Sequence, residues 1–204
     1  MIVTPQTEID AVNEILSSIG SAPVSTIEDD SNVDVINAKR ILQGVSTEVQ
    51  GRGWWFNTLE NIHLDPEIEG YGKDREYLVP CPNSFIRFVS YGYKLIKRGG
   101  YFFDNIAQTN NFPDGLDLEV VVKKLPFNEL PDPVRKYITV RASRIFQARY
   151  LSAEELDMHL QMEESQAYSD MLDYELEAGK YNIFDDQDWI TSGIYRGGTY
   201  RWHW

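Results

Sequence analysis

The chain is poor in the residues that most often make enzymatic or metal chemistry. Among 204 residues there is one cysteine and there are three histidines. One cysteine excludes an intramolecular disulfide and any zinc site built from four thiolates. That residue, Cys81, sits between Pro80 and Pro82 with no basic neighbour in sequence, which fits an inert thiol better than a nucleophile. No apolar run approaches the ~20 residues of a membrane span. The first residues, MIVTPQTEID, lack the basic and apolar regions of a secretory signal, so synthesis in a cytoplasm is expected. There is no G-x-S-x-G elbow, Walker loop, H-E-x-x-H pair or dinucleotide fingerprint.

Positive charge is also scarce. The formal net charge is −13, opposite in sign to that of a free-standing nucleic-acid binder, whose affinity comes largely from neutralising phosphates. Such a surface favours solubility, basic partners, or a passage along which nucleic acid does not stick. The imbalance peaks between Ser152 and Gly179, with nine Asp or Glu residues and no Lys or Arg.

What is present is an orderly change of period along the chain. Thr7 is placed to cap a first helix on which Ile9, Val12, Leu16 and Ile19 keep helical spacing, and Gly20 and Pro23 end it. Ser31 with Asp34 is expected to open a second helix. Its stripe of Val35, Ala38, Leu42, Val45 and Val49 stops at Gly51-Arg52-Gly53. From Trp54 to about Phe127 the runs WWFNTL, EYLV, SFIRFVSY, YKLI, YFF and LEVVVKKL predict short strands, with Lys123 and Lys124 as edge lysines. Pro131 and Pro133 then introduce a third helix with Val134, Ile138, Ala142 and Ile145 on its buried face. Its polar positions carry Arg135, Lys136, Arg141, Arg144 and Arg149. The acidic fourth helix is expected to start in a capping box of Ser152 and Glu155 and to close on Gly179. Its stripe (Leu156, Leu160, Ala167, Met171, Tyr174, Ala178) is interrupted at Glu163 and Glu164. Those carboxylates are expected to meet Arg141 or Arg144, in the same bundle or across a subunit boundary.

The predicted fold is α+β: a discontinuous four-helix bundle (two N-terminal and two C-terminal helices) with an inserted antiparallel β-domain and an extended C-terminal tail. The expected divisions are 1–53 with 131–179 for the bundle, 54–130 for the β-domain and 180–204 for the tail. The tail holds Phe184, Trp189, Tyr195, Tyr200, Trp202 and Trp204, residue types enriched at interface hot spots.

Each chemical motif has a plainer reading beside it. Glu155, His159 and Glu163 share a helical face at ligand spacing, yet no second helix offers an obvious further ligand, and His159 could simply offset acidic repulsion. Asp185, Asp186 and Asp188 lack the glycine and closing glutamate of a calcium loop. No metal and no cofactor is therefore expected. His63-Leu64-Asp65 reads as a strand end rather than part of a triad. Arg98-Gly99-Gly100 and Arg196-Gly197-Gly198 read as tight turns rather than RNA-binding repeats. With 32 acidic residues, Asp/Glu pairs spaced for glycoside hydrolysis arise by chance, and the leading enzymatic alternative is a polysaccharide hydrolase using such a pair. A monomeric acidic protein that binds a basic host factor or mimics DNA is another.

The order of AVNEILSSIGSAPVST, NAKRIL, GRGWWFN, RGGYFFD, VRKYITVRASRIFQARY, YELEAGKYNIF and TSG resembles tail tubular protein A of T7-like short-tailed bacteriophages, over nearly the whole chain. The resemblance implies a structural, non-enzymatic virion protein: a head–tail adaptor, or connector, at the head–tail interface, made in the bacterial host cytoplasm. It further implies a ring, usually a dodecamer of this chain, between the portal protein and the tail nozzle (a tail tubular protein B-like protein). That ring would continue the DNA ejection channel, let double-stranded DNA pass without specific binding, and support a tail fibre or spike protein. The charge pairs of Arg141, Arg144, Glu163 and Glu164 would then fix ring register, and the aromatic tail would dock on the portal.

Overall fold

A computed structural model describes residues 4–27, 32–71, 75–150 and 154–178. The chain is α+β, with four helices and small antiparallel sheets. Helix α1 (Glu8–Ser17) starts at Thr7 in a capping box. The Thr7 hydroxyl accepts from the Asp10 amide at 3.2 Å, and the Thr7 amide donates to the Asp10 carboxylate at 3.0 Å. That bonding to Thr7 lowers the Asp10 pKa below its ordinary value. Gly20, at φ +77°, turns the chain out of the helix.

Helix α2 (Val33–Gln50) is capped by Asn32 rather than by the expected Ser31, which lies outside the described residues. The Asn32 side chain accepts from the amides of Asp34 (3.0 Å) and Val35 (3.4 Å). Both residues are good caps; Asn32 has the extended backbone that lets its oxygen reach those amides. All five positions of the anticipated α2 stripe are buried. At the other end Gly51 keeps right-handed helical geometry, and Gly53 at φ +81° makes the turn.

Strand β1 begins four residues later than the run WWFNTL implied. Trp54 to Asn57 form a turn rather than strand, because Asn57 ties this segment to two other elements. Its side-chain oxygen Oδ1 accepts from the Trp54 amide at 2.8 Å, and its side-chain NH2 donates to Gln50 O and Lys123 O, both at 3.0 Å. Among the described residues seven strands follow: β1 (Thr58–Leu64), β2 (Glu67–Glu69), β3 (Glu76–Leu78), β4 (Phe85–Ser90), β5 (Leu95–Arg98), β6 (Tyr101–Asp104) and β7 (Leu116–Lys123). They form three antiparallel groups, β1-β7-β4, β2-β3 and β5-β6. The β5-β6 connection is the two-residue turn Gly99-Gly100, both at positive φ, with Arg98 stacked 4.9 Å over the Phe103 ring.

The edge-lysine expectation fails. Strand β7 is central, paired on both sides, so Lys123 ends an inner strand, and Lys124 donates to the Thr47 hydroxyl of α2 at 2.7 Å. A strongly apolar strand such as LDLEVVVK gains most when both of its edges are paired.

Helices α3 (Asp132–Tyr150) and α4 (Glu154–Ala178) follow. Helix α3 contacts α1, α2 and α4, so its residues are buried on more than one face, with Val134, Ile138, Ala142 and Phe146 almost fully buried. This corrects one assignment. Arg135 is not on a polar face but is 7% exposed, donating to Asn128 O (3.1 Å), the Gln6 side chain (3.0 Å) and the Asp132 carboxylate. The apolar residues fall into two clusters. One joins all four helices with Trp54, Phe127 and Leu130; the other gathers Val79, Cys81, Phe102, Phe112, Leu116, Leu118 and Val121 within the β-region.

Candidate interaction surface: the charged face between α3 and α4

Three or four residues per turn place Arg141 and Arg144 on one side of α3, and α4 returns antiparallel beside it. Glu164, whose side chain is only 16% exposed, accepts from both: Arg141 at 3.4 Å and Arg144 at 3.0 Å. Arg141 also reaches Glu48 of α2 at 2.7 Å, so this one guanidinium joins three helices. Arg144 holds Asp157 through two nitrogens, at 2.8 and 3.3 Å. Farther along, Lys136 meets Asp170 at 2.9 Å. The hydrogen bonds that Arg144 donates to Asp157, then to Glu164, raise the Arg144 pKa above its ordinary value, and Arg144 in turn lowers that of Asp157. The Lys136 ammonium lowers Asp170. Stabilisation from these two aspartates is present above the ordinary carboxylate range and is lost as pH falls through their depressed values.

Glu163 lies on a different side of α4. It faces α1, where burial first and the Glu163 charge second raise the pKa of Glu14. The structure therefore brings Arg141, Arg144 and Glu164 together and leaves Glu163 elsewhere. Phe184, Trp189, Tyr195, Tyr200, Trp202 and Trp204 lie outside the described residues. So do the Ser152 cap, the Gly179 terminus, Asp185, Asp186, Asp188 and the Arg196-Gly197-Gly198 turn, and the side chains of Glu155 and Leu156 are likewise not described.

Sequence reading placed Lys136 on the basic side of α3 but missed its partner Asp170, and it missed Glu48 and Asp157 as members of this face. Asp157 and Asp170 were visible only as part of a general acidity. The signal that could have found them is the antiparallel register of α3 and α4, which pairs positions descending on one helix with positions ascending on the other. Glu175 was missed too. It accepts from the Trp55 amide at 3.0 Å, while the Trp55 ring packs 6.0 Å from Tyr174, tying α4 to the helix-to-sheet turn.

The remaining candidates have local roles. Cys81 is buried, which raises its thiol pKa. Among the described residues no group of three His, Cys, Asp or Glu side chains is arranged to hold a metal ion. His63 closes β1 beside Asp117 of β7, 2.6 Å from Nδ1, with Asp65 3.6 Å from Nε2. The Asp117 hydrogen bond raises the His63 pKa above 6.5. Its folded pKa exceeds its unfolded one, so the contribution is complete below pH 6.5 and disappears as pH rises through the folded value. In an NMR titration the His63 ring is expected to show a midpoint above 6.5, and Asp117→Asn to return it toward 6.5. An unchanged midpoint in Asp117→Asn would contradict the assignment.

The carboxylates of this face are engaged as acceptors for arginine and lysine, and the helices they join carry small antiparallel sheets. The chain matches the tail tubular protein family over residues 9–181 and belongs to it, which makes it a structural component of a bacteriophage virion tail. No curated protein matches the chain.

Proposed function

We propose that the chain is a head–tail adaptor: a ring-forming protein that joins the portal protein to the tail nozzle, continues the DNA ejection channel and supports tail fibre or spike attachment. In this reading residues 1–53 and 131–179 form a discontinuous helical bundle that builds the ring. Residues 54–130 form a β-domain that serves as a platform, and residues 180–204 dock on the portal. The carrying observation is the family match together with the charged face. Arg141, Arg144 and Glu164, with Glu48 of α2, link α2, α3 and α4 while the chain keeps a net charge of −13. Copies of so acidic a chain around a channel repel phosphate, so double-stranded DNA slides without being held. No reaction is required of any residue.

The experiment is assembly on the cognate portal, imaged by electron microscopy. A cyclic collar, expected to be twelvefold, supports the proposal, and absence of association across a range of salt concentrations contradicts it. A chain ending at Gly179 is expected to lose at least tenfold in portal affinity, measured by sedimentation with portal particles. Normal binding by that truncated chain would remove the docking role from residues 180–204.

A further inference from the structure

Helix α4 has a second face that none of the described residues covers. At 100° per residue, Met158, Met162, Ser165, Ser169 and Leu176 fall within an arc of about 60°, and Ala167 and Met171 lie on the opposite side against α3. Met158, Met162 and Leu176 are 61%, 72% and 59% exposed. The two serines bond back to their own helix, Ser165 to Gln161 O at 2.9 Å and Ser169 to Ser165 O at 3.1 Å, and so require nothing from a partner. Asp173 and Glu177 border the Leu176 end and form no ion pair among the described residues.

The complementary surface is a groove of about 600 Å³ between α2 and the end of α3. Its floor contains Gly44, in the middle of α2, where an added Cβ would meet nothing within 4 Å. A glycine inside a helix costs about 1 kcal/mol relative to alanine, and no contact among the described residues calls for it there. The groove is lined by Arg40 and Arg149, which form no ion pair among the described residues, and by the half-exposed ring of Tyr150. One turn before it on the same side of α2, Val33 is 65% exposed.

We infer that the outer face of α4 from one copy of the chain docks into the α2–α3 groove of the next. Three observations favour a second copy as the occupant. The groove carries Arg40 and Arg149 against one carboxylate, Glu48, which is already paired with Arg141, and the α4 face is apolar with Asp173 and Glu177 at its border. The lengths agree: Met158 to Leu176 spans about 27 Å and Val33 to Glu48 about 22 Å. The two surfaces cannot meet within one chain, since the inner side of α4 is held against α3 by Ala167, Met171, Asp157 and Glu164. Two different patches meeting head to tail generate a ring when the rotation closes. The inference rests on the ring reading and gives its lateral contact.

The test uses full-length chains with single cysteines in the proposed surfaces, Gly44→Cys and Met162→Cys, oxidised at high protein concentration and resolved on non-reducing gels. Native Cys81 is buried, and Cys81→Ser in both backgrounds removes it as a source of cross-links. A mixture of the two variants is expected to give disulfide-linked dimers, each variant alone to stay uncross-linked, and the double variant to give a ladder. Arg40→Glu and Asp173→Arg are each expected to weaken self-association, followed by sedimentation, at least tenfold, with recovery when both are in one chain. Cross-linking of Met162→Cys alone would overturn the inference in favour of like-to-like pairing. A Gly44→Cys thiol that reacts with a maleimide only after residues 179–204 are removed would assign the groove to the chain's own tail. A collar on the portal without the mixed cross-link would overturn this contact and leave the ring standing. Absence of any multimer would overturn both.

Discussion

Replacing Asn57 with alanine is expected to lower stability by about 3–4 kcal/mol, more than any surface substitution. Asn57 is 2% exposed and its side chain makes three hydrogen bonds, to the Trp54 amide and to the carbonyls of Gln50 and Lys123. Its removal leaves the Trp54 amide and Lys123 O without this partner at the point where the end of α2 meets the end of β7, while Gln50 O keeps the Gly53 amide at 3.1 Å. Each group left without a partner in the interior costs about 1–3 kcal/mol, and water entering the gap recovers part of that. Asn57→Asp is expected to do no better, because a carboxylate would then face two carbonyl oxygens. Urea denaturation followed by circular dichroism checks this, with Tm falling by roughly 10 °C. A loss below about 1 kcal/mol would show that the turn does not depend on this side chain.

The second large effect is expected from Glu164→Lys. The substitution would place an ammonium beside two guanidiniums that now share one largely buried carboxylate. The cost is about 2–3 kcal/mol, between the small value of exposed ion pairs and the larger one of broken buried pairs. Glu164→Gln keeps an acceptor and is expected to cost about half as much. Glu48→Gln, on the exposed side of Arg141, is expected to change stability by less than 1 kcal/mol. Denaturation midpoints of the three variants, with unchanged slopes, test that ordering. Equal values for Glu164→Lys and Glu48→Gln would remove Glu164 from its central place. In portal binding, a folded Glu164→Lys chain that still assembles normally would confine the face to stability.

Much of the helical layer was legible in the sequence because helix burial has a period that one stripe reveals. The α2 stripe of Val35, Ala38, Leu42, Val45 and Val49 is buried throughout, and the basic composition of α3 beside the acidic α4 pointed to Arg141, Arg144 and Glu164. Glu163 was equally plausible by composition. One residue of rotation, about 100°, turns its side chain from α3 toward α1, and sequence carries no information on that angle until the helices are packed. The β-region was harder. The run WWFNTL has strand composition from its first residue, yet Trp54 to Asn57 turn, because the donor and acceptor demands of Asn57 are met by Gln50 and Lys123, the latter 66 positions away. The middle place of β7 was equally hidden. An apolar strand can pair on either edge, and only the spatial order β1-β7-β4 shows that both are used.

The sequence by itself determined the order of the helices with a β-region between the second and third, the excess of negative charge, the exclusion of an intramolecular disulfide and the membership of a tail structural family, because all of these are local or additive properties of residues. The short strand β2 (Glu67–Glu69), by contrast, carried no strand signal of its own. Tertiary structure alone decided which carboxylate joins two arginines, which arginine is buried, and which face of α4 stays open. Those outcomes depend on relative rotation and register between elements distant in the chain. They are set by packing the whole helical layer at once, with Ala167 and Met171 turned inward and Met158, Met162 and Leu176 left facing out.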